Sequence, residues 1–403
     1  MSARNLLRKL SSSKLGKMLS PRRSSKAAGS VPAVPVDISD TNVAGIGSDE
    51  DKAQRKAAAM KEAAWKGCGQ TVGIEVWRIE KFEVVSWPKE KYGSFYEGDS
   101  YIVLQTREVK DELGNPKIVR DIFFWLGKET STDEQGTAAY KTVELDDFFD
   151  GTPVQHREVM LHETNDFKAL FKTITYLKGG IESGFNHVEP GAYSAKLMQV
   201  KKVNRQTIIV EIKCARESLN HGDAFILDAG ATIYTWFGDE CSPFEKSAAN
   251  LAAEQLESTR HGAATATQDI DECFWEKLGG EGPIKSKEEA EDVLPKVEPV
   301  GEGVLYKLSD ATGELSVTEI GRGDLKLSML TSDDVYLCDP GPELIVWVGR
   351  KASAKERASA MSTAMKYLTQ QSKPFSTPIS VLTEGQPITS PTFSKIFDVP
   401  VVA

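Results

Sequence analysis

The stretch HGDAFILDAGATIYTWFGDECSPFEKSA, residues 221–248, decides the fold, because the chain writes it three times. A related copy, SDDVYLCDPGPELIVWVGRKASAKERASA, occupies 332–360. An earlier one is split between EGDSYIVLQT (97–106) and DIFFWLGKETSTDEQG (121–136). In every copy an Asp opens a β-rich run (Asp99, Asp223, Asp334), and a second β-rich run ends in Trp-x-Gly (Trp125, Trp236, Trp347). A Glu follows nine residues after the Trp (Glu134, Glu245, Glu356) and opens a helical stretch. Asp-to-Trp spacing is 13 in the later copies and 26 in the first, where KDELGNPKIV (110–119) inserts an extra turn with flanking strand. Another short strand precedes each copy: GIEVWRI (73–79), AKLMQV (195–200) and GVLYKL (303–308). Copies recur at domain-sized intervals, far too long for a solenoid unit. The chain therefore reads as a tail followed by three α+β domains, each a sheet with helices packed on it.

Composition narrows the function. Apolar content of 40% and charged content of 27% are ordinary for a globular protein. The net charge of −10 is uneven, since residues 1–26 hold Arg4, Arg8, Lys9, Lys14, Lys17, Arg22, Arg23 and Lys26 and no acid. The remainder is strongly acidic, which excludes a general nucleic-acid footprint and suits divalent cations and basic partner surfaces. Residues 20–50, rich in Ser, Pro, Ala and Gly, read as disordered linker, and 50–66 as helical. The basic N-terminus reads either as a solvated tail or as a membrane-surface helix or targeting segment. Five scattered cysteines (68, 214, 241, 273, 338) without a CxxC point to a reducing compartment. No P-loop, HExxH or GxSxG occurs, so an enzyme is not expected; His156 reads as a structural, hydrogen-bonded residue.

The recurring Glu has a local explanation, because Ser131, Ser242 and Ser353 stand three residues before it in capping-box spacing. The recurring Asp has none, since Asp is disfavoured in strands. A strand-start Asp and a helix-start Glu joined by a Trp-x-Gly turn place two carboxylates at one end of a sheet. Like charges that close are costly unless a cation joins them, and calcium takes six to eight oxygen ligands. A glycosidase-like acid and base pair is the alternative, but active sites are rarely triplicated.

The first domain carries specific wording. YEGDSYIVLQT (96–106), FFWLGKETSTDEQGTAAYKTVELDDFF (123–149), PVQHREVMLHET (153–164) and LKGGIESGFNHV (177–188) resemble the first domain of the gelsolin and villin family. TAAYKTVELDD is most similar to the three-domain severin and fragmin type. The resemblance covers about 70–400 and implies three gelsolin-like domains, each a central mixed sheet flanked by helices, at 66–188, 189–292 and 293–403, after a disordered basic tail and linker over 1–65.

The resemblance further implies one calcium in each domain. The ligands carried over are Gly98, Asp99, Glu134 and the Ile181 carbonyl in the first domain. In the second they are Gly222, Asp223, Glu245 and an acid within 288–292, and in the third Asp333, Asp334 and Glu356. A further calcium, shared with actin, would use Asp146 and the carbonyls of Gly151 and Pro153. The helix at about 133–149 would contact actin through Tyr140, Val143, Asp146 and Asp147, with Tyr140-Lys141 where some relatives have Ile-Phe. Phosphoinositide sites would fall on Lys168, Lys172, Lys178, Lys196, Lys201, Lys202 and Arg205. Ala224 and Phe237 stand where secreted gelsolin has a cysteine pair. The implied function is calcium-dependent severing and barbed-end capping of actin filaments by a cytoplasmic, cytoskeletal monomer. Capping without severing and a phosphoinositide-bound membrane scaffold are the alternatives.

Overall fold

The computed structural model describes residues 53, 56–57, 59–110, 113–180, 193–203, 205–296, 298–311, 313 and 315–400. The basic tail and most of the expected linker lie outside the described residues.

The first sheet has the order β2-β1-β4-β5-β6, with β1 (Gly73–Glu80), β2 (Glu83–Ser86), β4 (Ser100–Lys110), β5 (Pro116–Leu126) and β6 (Val154–Val159). β4 and β5 form the long antiparallel pair that the 110–119 insertion required. β6 runs parallel to β5, after helix α1 (Thr132–Phe148) has crossed one face of the sheet. The third sheet repeats this plan as β14-β13-β15-β16-β17, using β13 (Val304–Ser309), β14 (Ser316–Arg322), β15 (Val335–Asp339), β16 (Leu344–Val348) and β17 (Ile379–Thr383). β16 and β17 are parallel across the long helix Ala354–Gln370.

The middle sheet is larger. β8 (Lys196–Val203), β9 (Gln206–Ile212), β10 (Ala224–Asp228), β11 (Thr232–Phe237) and β12 (Thr265–Thr267) come from the second repeat. Two strands of the first repeat, β3 (Ser94–Tyr96) and β7 (Thr173–Leu177), extend it by parallel pairing of β7 with β9 and of β3 with β7. Hydrogen bonds thus cross the expected boundary at 188. β10 and β15 are buried along their whole length, as central strands covered on both faces must be.

Each long helix spans 17 residues and starts on its expected serine cap. These are α1, α3 (Pro243–Thr259) and α5 (Ala354–Gln370); shorter helices are α2 (Asn165–Ala169), α4 (Glu272–Lys277) and α6 (Pro391–Phe397). Full capping boxes form at Ser242/Glu245 and Ser353/Glu356. Ser131 caps the Glu134 amide, while the Glu134 carboxylate accepts from the Thr130 hydroxyl at 3.1 Å.

The expected boundary at 65 is also crossed by packing. Ala59 and Trp65 are fully buried in the core beneath α1, and Trp65 meets Trp77 edge-on at 5.1 Å. Trp65 Nε1 donates to Glu144 on α1 at 3.0 Å, and Lys141 on α1 bridges Glu62 and Glu144. The segment before β1 therefore packs with the first sheet and α1. Trp65→Ala should cost about 3–5 kcal/mol, as expected for emptying a fully buried Trp site, measured as the shift of the first-domain transition in urea.

Candidate functional site

The three repeats build the same turn at the end of their sheets. The glycine of Trp-x-Gly donates its N–H to the main-chain carbonyl of the repeat Asp: Gly127 to Asp99 at 3.0 Å, Gly238 to Asp223 at 2.9 Å and Gly349 to Asp334 at 3.1 Å. Two residues on, Glu129, Glu240 and Lys351 donate at 2.8 Å to Glu97, His221 and Ser332. A Cβ on these glycines would lie 2.3–2.4 Å from the carbonyl oxygens of Glu97, His221 and Ser332, so only glycine fits. This close approach holds the Asp at its strand start and delivers the chain to the serine cap and the Glu.

The carboxylates so placed are buried: Asp99, Asp223, Asp334, Glu134 and Glu356, with Glu245 half-buried. In the first repeat, Ser100 and Glu134 are joined through the Thr130 hydroxyl, at 3.0 and 3.1 Å. In the third, the Lys307 ammonium is held on Asp334, and its pKa is raised by that hydrogen bond and, more weakly, by the Glu356 charge. In the second, Asp223 accepts from Gln199, Asn220 and Lys201 at 2.5, 2.8 and 2.6 Å, and Lys201 reaches Asp292 at 3.8 Å. Asp292 is thereby the acid of the 288–292 run that comes nearest to Asp223's partner.

Whether calcium suits these residues turns on the donors beside each Asp. Gly98 donates to the Gly179 carbonyl at 2.8 Å, and a Cβ on Gly180 would stand 2.7 Å from Asp99 Oδ1. The backbone at 179–180 therefore closes onto the Asp99 carboxylate, where main-chain oxygens belong in a calcium shell. No group of three or more acidic, His or Cys side chains gathers among the described residues. The donor set is two carboxylates plus carbonyls, which fits calcium and not a softer metal. Ile181 lies outside the described residues. Asp333 is exposed, and its neighbour Ser332 accepts the Lys351 amide.

The expected shared-calcium residues converge. Asp146 is buried and accepts from Gln155 at 2.8 Å, and the Gly151 amide closes onto the Asp146 carbonyl at 2.9 Å. Asp146, Gly151 and Pro153 line one cleft of about 450 Å³, whose opposite wall is the third domain: Val348, Arg357, Ala358, Met361 and Val381. On α1, Tyr140 is exposed, while Val143 and Asp147 are half-buried. Lys141 points away from that face into its pairs with Glu62 and Glu144, so it is a strut between the helix and the preceding segment.

The residues expected to bind phosphoinositides differ in their partners. Lys201 is committed to Asp223, Lys196 lies 3.5 Å from Glu211, and Lys202 donates to the Arg205 carbonyl and to Thr207. Lys172, Lys178 and Arg205 are exposed, and Lys168 is half-buried. His156 is buried, stacked on Phe123 and bonded to Asp121, as a structural residue would be. Ala224 and Phe237 face each other across β10 and β11, and all five cysteines are free. No helix among the described residues is long and apolar enough to cross a membrane.

The first and third domains meet edge to edge. β6 lies beside β17. Arg157 on β6, almost fully buried, donates to the carbonyls of Phe375 and Thr377 at 2.6 and 3.5 Å and stacks on the Phe375 ring. Asn165 donates to the Thr389 carbonyl, and the Thr389 hydroxyl donates to Asp166.

With this geometry in place, comparison with known proteins is direct. The family profile described as Gelsolin repeat matches residues 81–168, 206–272 and 317–389. The chain belongs to the gelsolin family. Each match holds one Asp, one Trp-x-Gly and one Glu of the triplicated pattern. Gelsolin-like protein 1 of Lumbricus terrestris is 39% identical over 378 residues, covering 94% of this chain and all of the relative. Severin of Echinococcus granulosus is 36% identical over 376 residues, covering 89% of this chain and 97% of its own. Actin depolymerising venom protein gelsolin 1 of Platymeris rhadamanthus is 38% identical over 331 residues, covering 79% and 87%. The first strands of the gelsolin repeats, β1, β8 and β13, lie outside the matched segments.

Beside Arg157, Glu158 is fully buried and accepts from the Thr164 amide and hydroxyl, both at 2.8 Å. Burial pushes its carboxyl up to about 8. The folded state keeps a proton that the unfolded chain releases. The stability this contributes is fully present below the ordinary carboxylate pKa and is lost as pH rises towards about 8. Melting curves between about pH 5 and about pH 8 should show the wild type losing stability relative to Glu158→Gln as pH rises.

Proposed function

We infer that this chain is a calcium-controlled regulator of actin filaments, one that severs them and caps their barbed ends in the cytoplasm. Its relatives include proteins named severin and actin depolymerising venom protein, at 36% and 38% identity over most of their lengths. What carries the reading here is the convergence of Asp146, Gly151 and Pro153 on one cleft at the C-terminal end of α1. Acids at a helix C-terminus oppose the helix dipole, and a cation shared with a carboxylate of actin would relieve them.

The third domain fills the far side of that cleft, where an actin protomer would have to approach. The arrangement is therefore closed with respect to actin. Its fastening is partly polar: Arg157 is charged, buried and held at this interface by carbonyl oxygens and a ring, a state that costs desolvation. Calcium on the repeat carboxylates would favour the arrangement in which those carboxylates are best coordinated, and so move the population away from the closed one. Severing would then need the first domain at the cleft of an actin protomer and the second on the filament side.

Single fluorescent filaments viewed by evanescent-wave microscopy test this. The expected result is breaks along the shafts only when calcium is added, followed by arrested barbed-end growth, with both weakened in Asp146→Asn. Filaments unaffected with or without calcium would end the reading. Arg157→Gln should raise the radius of gyration in chelator, measured by small-angle scattering, towards the value that calcium gives the wild type.

A further inference from the structure

The buried Asp of every repeat is held by a side chain from the first strand of its own sheet. Arg78 lies opposite Tyr101, Gln199 opposite Phe225 and Lys307 opposite Tyr336, each at the position two residues beyond the Asp. Arg78 Nη2 reaches Asp99 Oδ2 at 2.5 Å, Gln199 Nε2 reaches Asp223 Oδ2 at 2.5 Å, and Lys307 Nζ reaches Asp334 Oδ2 at 2.7 Å. Where the second repeat has the neutral Gln199, Lys201 supplies the charge to the other oxygen, Asp223 Oδ1, at 2.6 Å. The positive charge is thus retained in all three repeats although its position on the strand is not. That pattern indicates a requirement for charge rather than for one side chain.

We propose that Arg78, Lys201 and Lys307 are built-in counter-cations that set the calcium affinity of their repeats by competing for the same carboxylate. The proposal rests on the calcium reading above and concerns what tunes it. A buried carboxylate needs a partner, and the guanidinium or ammonium is one. Calcium on that carboxylate brings two positive centres onto one group, and their repulsion subtracts from binding.

The three cations differ in their freedom to withdraw. Arg78 is clamped between Trp87 and Tyr96, with ring centroids at 5.3 and 5.0 Å. Arg78 and Lys201 each have a second acid at 3.8 Å, Glu80 and Asp292, but no ring among the described residues clamps Lys201, and the Lys307 side chain is 36% exposed, with solvent to move into. The first repeat therefore carries the largest penalty.

The test uses the full chain as wild type, Lys307→Gln, Lys307→Arg and Asp334→Asn. Calcium binding is read by titration calorimetry and by counting sites in equilibrium dialysis; melting temperatures are read in chelator. Lys307→Gln should tighten one site by about tenfold, the effect of removing one neighbouring charge, and should melt lower than wild type in chelator because Asp334 loses its cationic partner. Lys307→Arg should stay close to wild type. If Asp334→Asn loses one site but Lys307→Gln leaves affinity unchanged or weaker, the proposal is overturned and the calcium reading stands. If Asp334→Asn loses no site, the calcium reading of the third repeat fails, and the proposal fails with it.

Discussion

A carboxylate buried at the start of a strand needs a counter-charge and a fixed backbone, and both are met three times in this chain. The backbone is fixed by the Trp-x-Gly turn, whose glycine N–H bonds the carbonyl of Asp99, Asp223 or Asp334. The charge is met by Arg78, Lys201 or Lys307 from the neighbouring strand. Strand order agrees with this pairing: the cation-bearing strand lies beside the Asp-bearing one, as β1–β4, β8–β10 and β13–β15 do. The turn then hands the chain to a serine cap, and the 17-residue helix that follows covers the sheet.

The Asp, the turn and the capped helix are built within each repeat, but the repeats are joined in two different ways. The second sheet takes β3 and β7 from the first repeat, which welds the first two together by hydrogen bonds. The first and third meet differently, through β6 beside β17, a shared apolar cluster and the buried Arg157. A ladder of backbone bonds opens only by local unfolding. The contact between the first and third domains is made of side chains, among them the shared apolar cluster, and of carbonyls, with no backbone ladder between the two sheets among the described residues. The cleft holding Asp146 lies at the second kind of junction.

Helix α1 illustrates how one element serves two demands. Its Lys141 and Glu144 hold the segment from Glu62 to Trp65, while Tyr140 is exposed on a different face. The Lys141 ammonium is thus engaged inside the protein. The same helix ends at the cleft that Asp146 lines.

Much of this was legible in the sequence, because it is periodic or local. Repetition of Asp, Trp-x-Gly and Glu gave three α+β domains; serine spacing gave the helix starts; the 110–119 insertion gave the long hairpin. What the sequence by itself determined is the set of acidic groups and their place at strand and helix starts, since these depend on neighbours a few residues away. Only the tertiary structure decided which cations meet them, with Lys201 on Asp223, and that Ala59 and Trp65 pack in the core with Trp77. It alone brought Arg157 to the carbonyl of Phe375, 218 residues along the chain. Such contacts arise from the packing of whole sheets, and spacing along a chain carries no record of which distant backbone will come to rest beside a given side chain.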